Sequence, residues 1–288
     1  AKYRGNHGGI APTKTNRDSL GLLRELGTGL DAERLEDGPM HRATREKVGN
    51  CRPAGLILAG GHSRRMGRDK ALLDRGGMPL LRYLVEVAQG CCDPVAVVTP
   101  WVDRYRSILP ATCWLIPETP APWADGQTSS GPLWGFHQGL VALQAGYPHP
   151  LAPFRRTPDT ASARVGEGVQ GWVLVLACDL PCLTVEVVGG WLGQLERVPP
   201  GTLAVLPQNP KGWDPLCGFY HRDCGPLLAA FWGEGGWDRS REGWGDRSFQ
   251  GWLRQGSIAP RLVPLTVADR QVLLNCNTPA DWQGVQGV

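Results

Sequence analysis

The segment Leu58-Ala59-Gly60-Gly61-His62-Ser63-Arg64-Arg65-Met66-Gly67-Arg68-Asp69-Lys70 concentrates groups suited to a polyphosphate. Gly60 and Gly61 have no side chains, so main-chain N–H groups can close on a chain of phosphates. Arg64, Arg65, Arg68 and Lys70 bring positive charge, and Ser63 adds a hydroxyl donor. The same residues also suit a glycine turn whose basic side chains are simply solvated. Two well-known phosphate loops are excluded. Gly67 is followed by Arg68-Asp69-Lys70, which is not G-x-x-x-x-G-K-[ST]. There is no G-x-G-x-x-G, and Thr99, not an acid, ends the second apolar run. A second candidate is Asp179 in Cys178-Asp179-Leu180-Pro181, which suits either a metal ligand or a cap for the helix that follows.

These residues must be positioned by strands. Ala54 to Ala59, Pro94 to Thr99, Cys113 to Pro117 and Trp172 to Ala177 are short apolar runs, as buried parallel strands are. Helical spacing covers Pro79 to Gln89, Leu133 to Ala145, Thr184 to about Arg197 and Pro226 to Trp232. Further strands are expected at Thr202 to Pro207, Trp213 to Tyr220 and Ile258 to Val267, and a helix at Phe249 to Gln255. Strand–helix alternation of this kind predicts an α/β fold, a mostly parallel sheet with helices on both faces. In such a sheet the ligand crevice lies at the carboxyl ends of the strands, where both the glycine loop and Asp179 fall.

Composition narrows the field. The chain of 288 residues is long enough for one sizeable domain, here 51–288. Residues 1–50 are polar and glycine-rich and are expected to be a flexible tail; Met40 is the first methionine, which makes a natural start there one expectation. Residues 146–171 have no periodicity and are expected to be a disordered surface insertion. A net charge of +3 from scattered basic residues assigns no nucleic-acid partner. No run approaches the ~20 apolar residues of a membrane span and no signal peptide is visible, so a cytoplasmic location is expected. The nine cysteines include no C-x₂-C pair and suit reduced, buried thiols better than zinc or disulfides. Arginines and tryptophans between Trp237 and Trp252 suit a flat, anionic ligand, but tryptophans covering the edge of a core explain them better.

The pattern L-A-G-G-x-S-x-R-M-G-x-D-K-x-L-L from Leu58 to Leu73 resembles the signature of the MobA family, the molybdenum cofactor guanylyltransferases. Gly131-Pro132-Leu133, Cys178-Asp179-Leu180-Pro181, Asp214-Pro215-Leu216 and Asn275-Cys276-Asn277-Thr278-Pro279 follow in the same order, so the resemblance spans about residues 54 to 282. It implies a Rossmann-like three-layer nucleotidyltransferase fold. It also implies transfer of GMP from GTP to the terminal phosphate of molybdopterin-bound molybdenum, with release of pyrophosphate and Mg²⁺ as cofactor.

By position, the resemblance assigns Leu58, Ala59, Gly60, Gly61, Lys70, Thr99, Glu118 and Asp179 to the nucleotide, with Asp179 on Mg²⁺ and Arg65, Lys70 and Asp179 acting in catalysis. Thr99 and Glu118 depart from the asparagine and aspartate common in relatives. Asp214, Asn275 and Asn277 fall on the pterin side, or the asparagines form only a C-terminal turn. Transient contact with other cofactor-biosynthesis proteins or apo-molybdoenzymes is implied too. Cytidyl transfer to the same pterin is the rival, since CTP users tend to carry L-A-A-G where this chain has Gly61. A non-catalytic nucleotide or cofactor carrier is the rival of a different class.

Overall fold

The computed structural model describes residues 52–121, 130–147, 171–233, 246 and 248–286. The expected tail over 1–50 lies outside them, as does all of the 146–171 segment except Gly146, Tyr147 and Gly171. Trp237 also lies outside, whereas Trp252 is buried in the core.

Seven strands form the central sheet. In chain order they are β1 (Ala54–Leu58), β2 (Val95–Thr99), β3 (Trp114–Pro117), β4 (Trp172–Ala177), β5 (Ala204–Leu206), β8 (Cys217–His221) and β9 (Leu262–Pro264). Strands β6 (Gln208–Asn209) and β7 (Gly212–Trp213) make a separate small hairpin. The sheet order is β3-β2-β1-β4-β8-β5-β9, and β8 alone runs antiparallel to its neighbours. From β1 the chain steps outward to β2 and β3, then returns to place β4 on the other side of β1. The direction of travel therefore reverses between β1 and β4, a switch point that opens a crevice above their carboxyl ends.

The apolar alternation of the strands divides the interior into two cores. Ile57, Val97, Leu174 and Leu176 face one side, while Leu56, Leu58, Val98, Val173 and Val175 face the other. The first side is covered by α1 (Leu80–Cys91) and α4 (Val185–Leu195), through Leu80, Leu81, Leu84 and Val85 of α1 and Trp191 and Leu192 of α4. The second is covered by α3 (Pro132–Gln144), α5 (Cys224–Gly233) and α6 (Phe249–Leu253), with Phe136, Tyr220, Phe249 and Trp252 in mutual ring contact. Three layers result, as the spacing of the apolar residues requires.

Two expected strands are shorter than their apolar patterns suggested. Trp213 to Tyr220 is interrupted at Pro215, which has no N–H for a ladder; Trp213 pairs in the hairpin and the main strand starts at Cys217. Ile258 to Val267 keeps only Leu262–Pro264, because Pro260 lies in a 3-10 turn at Ala259–Arg261. Two helices were not expected: α2 (Val102–Arg106) and α7 (Pro279–Gln286). The first is too short to show periodicity. The second is announced by a reciprocal cap, in which Thr278 and Asp281 accept each other's main-chain N–H groups.

The eight described cysteines are free and at least half-buried. Burial pushes the thiols of Cys91 and Cys276 up to about 11 and those of Cys113 and Cys178 up to about 12. Buried thiols of this kind fit the small-hydrophobe role expected of them.

Candidate active site

The glycine loop leaves β1 at Ala59, whose N–H donates to Val98 O at 2.9 Å. Ser63 then takes a left-handed conformation at φ 52°, costly for a residue with a side chain. Its carbonyl accepts the N–H groups of Met66 and Gly67, and its Oγ accepts the Lys70 N–H at 3.1 Å. Met66 is buried in the core below and anchors the loop from beneath. One serine therefore closes the loop into a ring whose far end is Lys70.

Lys70 reaches across the switch point. Its Nζ lies 3.1 Å from Asp179 Oδ2, just past β4, and 2.6 Å from Asn277 Oδ1 near the C-terminus. Both charged side chains are largely shielded, at 14% and 16% exposure. The Cys276 N–H donates to the Asp179 carbonyl at 3.0 Å, which ties the C-terminal segment to the end of β4. Asp281 holds that segment, accepting from the N–H groups of Asn277 and Thr278. Three sequence motifs some 100 to 200 residues apart thus meet at one ammonium group.

Asp179 has a second oxygen, Oδ1, that is buried and has no hydrogen-bond partner among the described residues. An unpaired carboxylate oxygen in such a place is costly unless a ligand satisfies it. No group of three or more His, Cys, Asp or Glu side chains that could hold a metal occurs among the described residues. A lone carboxylate suits Mg²⁺, which keeps waters and substrate phosphates in its shell, and does not suit zinc.

Glu118 lies on the other side of the loop. It is 7% exposed, follows β3, and donates its N–H to Thr99 O. A Cβ added to Gly60 would run into its carboxylate, and one added to Gly135 on α3 would stop 3.7 Å from Oε2. The Gly60 and Gly131–Gly135 motifs therefore converge on this carboxylate. Gly131 enables the entry to α3, with φ at 92° and Pro132 in the first turn. At Gly61 a Cβ would meet nothing within 4 Å, so the space there is open.

The remaining expected residues lie as follows. The side chains of Leu58 and Ala59 are packed in the two cores, and the main chain of Ala59 is used inside the protein, its N–H by Val98 and its carbonyl by Thr99. Thr99 is fully buried; its hydroxyl donates to Ala59 O and accepts from Trp101 N–H, which shapes the strand ends. Arg65 is exposed at the loop. Arg64 and Arg68, with Gly61, Ser63, Trp101 and Arg104, line a cavity of about 380 Å³ against the loop. Asn275 is exposed. Asp214 sits past the β6–β7 hairpin, accepting from Asn209 at 2.6 Å with Arg270 at 3.7 Å, and burial raises its carboxyl above the usual range.

Sequence reasoning did not single out Asp69 and Tyr105. The Tyr105 hydroxyl lies 3.0 and 2.9 Å from the two oxygens of Asp69, and Arg104 reaches the same carboxylate at 2.8 Å. Tyr105 belongs to the unexpected α2, so only the placement of that helix reveals the pairing.

A glycine-rich basic loop after β1, a carboxylate after β4 and a lysine joining them therefore meet at the switch point. The chain belongs to the MobA-like NTP transferase family, whose domain model matches residues 55–247. It is 39% identical over 232 residues to a protein of Trichormus variabilis named "Probable molybdenum cofactor guanylyltransferase", covering 81% of this chain and 89% of that one. A Synechococcus elongatus protein of the same name is 37% identical, with 81% and 97% covered. Among solved structures, the molybdopterin-guanine dinucleotide biosynthesis protein A of Archaeoglobus fulgidus aligns at a TM-score of 0.54 and 17% identity, covering 81% of this chain and 97% of that one. The structural likeness is one of fold.

Proposed function

We propose that this chain transfers GMP from GTP to the terminal phosphate of molybdopterin-bound molybdenum, releasing pyrophosphate and forming the guanine dinucleotide cofactor. The observation that carries the reading is the Lys70 ammonium held between Asp179 and Asn277 at the switch point. The names of the relatives supply the substrate class.

The chemistry suits these residue types. An oxygen of the pterin phosphate attacks the α-phosphorus of GTP, and the bond to the β-phosphate oxygen breaks. The attacking group is already an anion, so no strong general base is needed. The difficulty is repulsion between two anions. Lys70 meets the triphosphate with a positive charge whose direction is preset by two acceptors, so little reorganisation is needed. Arg65, exposed at the loop, adds a second cation for the leaving diphosphate. Asp179 offers the buried Oδ1 to Mg²⁺. When bound, Mg²⁺ supplies charge neutralisation at the phosphates. Asn277, on the Lys70 ammonium, and the exposed Asn275 are assigned to the acceptor in this reading.

In this reading Glu118, whose carboxylate lies against Gly60, is assigned to the guanine edge. A carboxylate accepts two adjacent N–H groups. Guanine presents such a pair, N1–H and its amino group, and cytosine does not. A working place in the cytoplasm fits this biosynthetic role, and no helix among the described residues is long and apolar enough to cross a membrane. Transient handover to apo-molybdoenzymes belongs to the same proposal.

Melting curves with Mg²⁺ and each of the four NTPs test the base assignment. A nucleotide that binds only the folded state raises Tm, by about 2.7 kcal/mol of stabilisation at a hundredfold excess over Kd. GTP is expected to do so. A rise with CTP and none with GTP would overturn it.

A further inference from the structure

We propose that Tyr105 is a positioning residue for this transfer, acting through Asp69 on Lys70. It rests on the assignment of Lys70 to the nucleotide and goes beyond it.

Asp69 immediately precedes Lys70. Its Oδ1 accepts the Ala71 N–H at 3.1 Å and so caps the one-turn 3-10 helix Lys70–Leu72. Its Oδ2 accepts from Arg104 at 2.8 Å. The Tyr105 hydroxyl lies against both oxygens and shares its single proton between them. Protein groups thus engage both carboxylate oxygens, and Asp69 is used as a structural pin, not as a second metal ligand. Tyr105 is itself 1% exposed and packs against Trp101, so the pin is anchored in the core. Burial, followed by the Asp69 charge, holds the phenol far above its ordinary value, so it remains a proton donor at any working pH.

The consequence falls on Lys70. Its main chain is fixed from both sides, by Ser63 Oγ on its own N–H and by the capped turn that begins with it. A lysine side chain loses about 2 kcal/mol of rotamer freedom when held, so a fixed base is what makes a fixed ammonium attainable. Without the Tyr105 hydroxyl, the Asp69 carboxylate keeps only an exposed arginine and one N–H. It can then turn away from the cap, and Lys70 loses its fixed origin. The cost comes from misplacing a charge, so it is felt only while Lys70 is present.

The test is a double-mutant cycle on Mg²⁺–GTP affinity. Tyr105→Phe is made in the native chain and in Lys70→Ala, and the rise of Tm is followed to millimolar GTP so that weak binding is still read. Affinity is expected to fall about tenfold on Tyr105→Phe in the native chain and less than about twofold in the Lys70→Ala background. Equal losses in both backgrounds, or no loss in the native chain, would overturn the proposal. Should Tyr105→Phe fold poorly without ligand, Asp69→Ala replaces it in the same cycle with the same expected pattern, because it removes the cap that fixes the origin of Lys70. Unchanged GTP affinity in Lys70→Ala alone would instead refute the nucleotide role of Lys70, an outcome read separately from the cycle.

Discussion

Gly60→Ala is the substitution that most sharply separates fold from function here. Gly60 has no left-handed φ, so alanine meets no backbone obstacle. The added Cβ would run into Glu118 Oε2, with Cδ at 3.2 Å and Oε1 at 3.6 Å. The clashing atoms end a flexible side chain, whereas the Glu118 main chain is held by its N–H bond to Thr99. The carboxylate therefore rotates away and the fold survives. An off-rotamer glutamate costs about 0.5–1.5 kcal/mol. For a domain of this size that lowers Tm by only a few degrees, at roughly 2–4 °C per kcal/mol. The functional loss is larger. A hydrogen bond to a charged group contributes about 1.5–3 kcal/mol, so losing the proposed contact of Glu118 to guanine is expected to weaken GTP about 10- to 150-fold. Melting curves with and without GTP measure both effects on one sample. Glu118→Gln in the same assay is expected to lose GTP without the steric cost. A Gly60→Ala protein that binds GTP as tightly as the native chain would refute the reasoning.

Gly139→Ala places a Cβ 2.6 Å from both Leu56 δ-carbons and 2.9 Å from Val98 Cγ2, atoms locked in the core. Denaturant titration should show a loss of about 1–3 kcal/mol, and an unchanged midpoint would contradict the packing of α3 on β1. Asp179→Asn and Lys70→Ala should each cut turnover about 100- to 1000-fold while the folded fraction stays intact; near-native turnover in either would remove that residue from the site. The Asp281 carboxyl is held below its ordinary 3.8, chiefly by the Asn277 and Thr278 N–H groups. Its contribution is fully present above that ordinary value and is lost as pH falls through the lower folded value. The Tm difference between the native chain and Asp281→Asn should therefore shrink below about pH 4, and a difference that grows on acidification would contradict the cap.

Much of the frame was legible in the residues. Buried strands such as Val95–Thr99 and Trp172–Ala177 carry β-branched runs bounded by turns, and their order placed Gly60 and Asp179 at carboxyl strand ends. What was hidden depends on distance. Nothing local links Lys70 to Asn277, 207 residues away, because that contact exists only once Cys276 is tied to the end of β4. Asp69 was visible as part of a motif, yet its work depends on Tyr105 from a five-residue helix that no periodicity announces. Proline explains the two shortened strands, since Pro215 and Pro260 interrupt patterns that are apolar enough to continue. Thr99 shows the limit of arguing by position alone: it stands at the expected strand end, and its hydroxyl is used inside the protein.

The most direct measurement is pyrophosphate release on mixing the protein with GTP, Mg²⁺ and molybdopterin-loaded carrier. Release that requires the pterin acceptor, accompanied by formation of the guanine dinucleotide and lost in Asp179→Asn, is the predicted result. Release with CTP and none with GTP, or none with any nucleotide from folded protein, would contradict guanylyl transfer at the Lys70–Asp179 site.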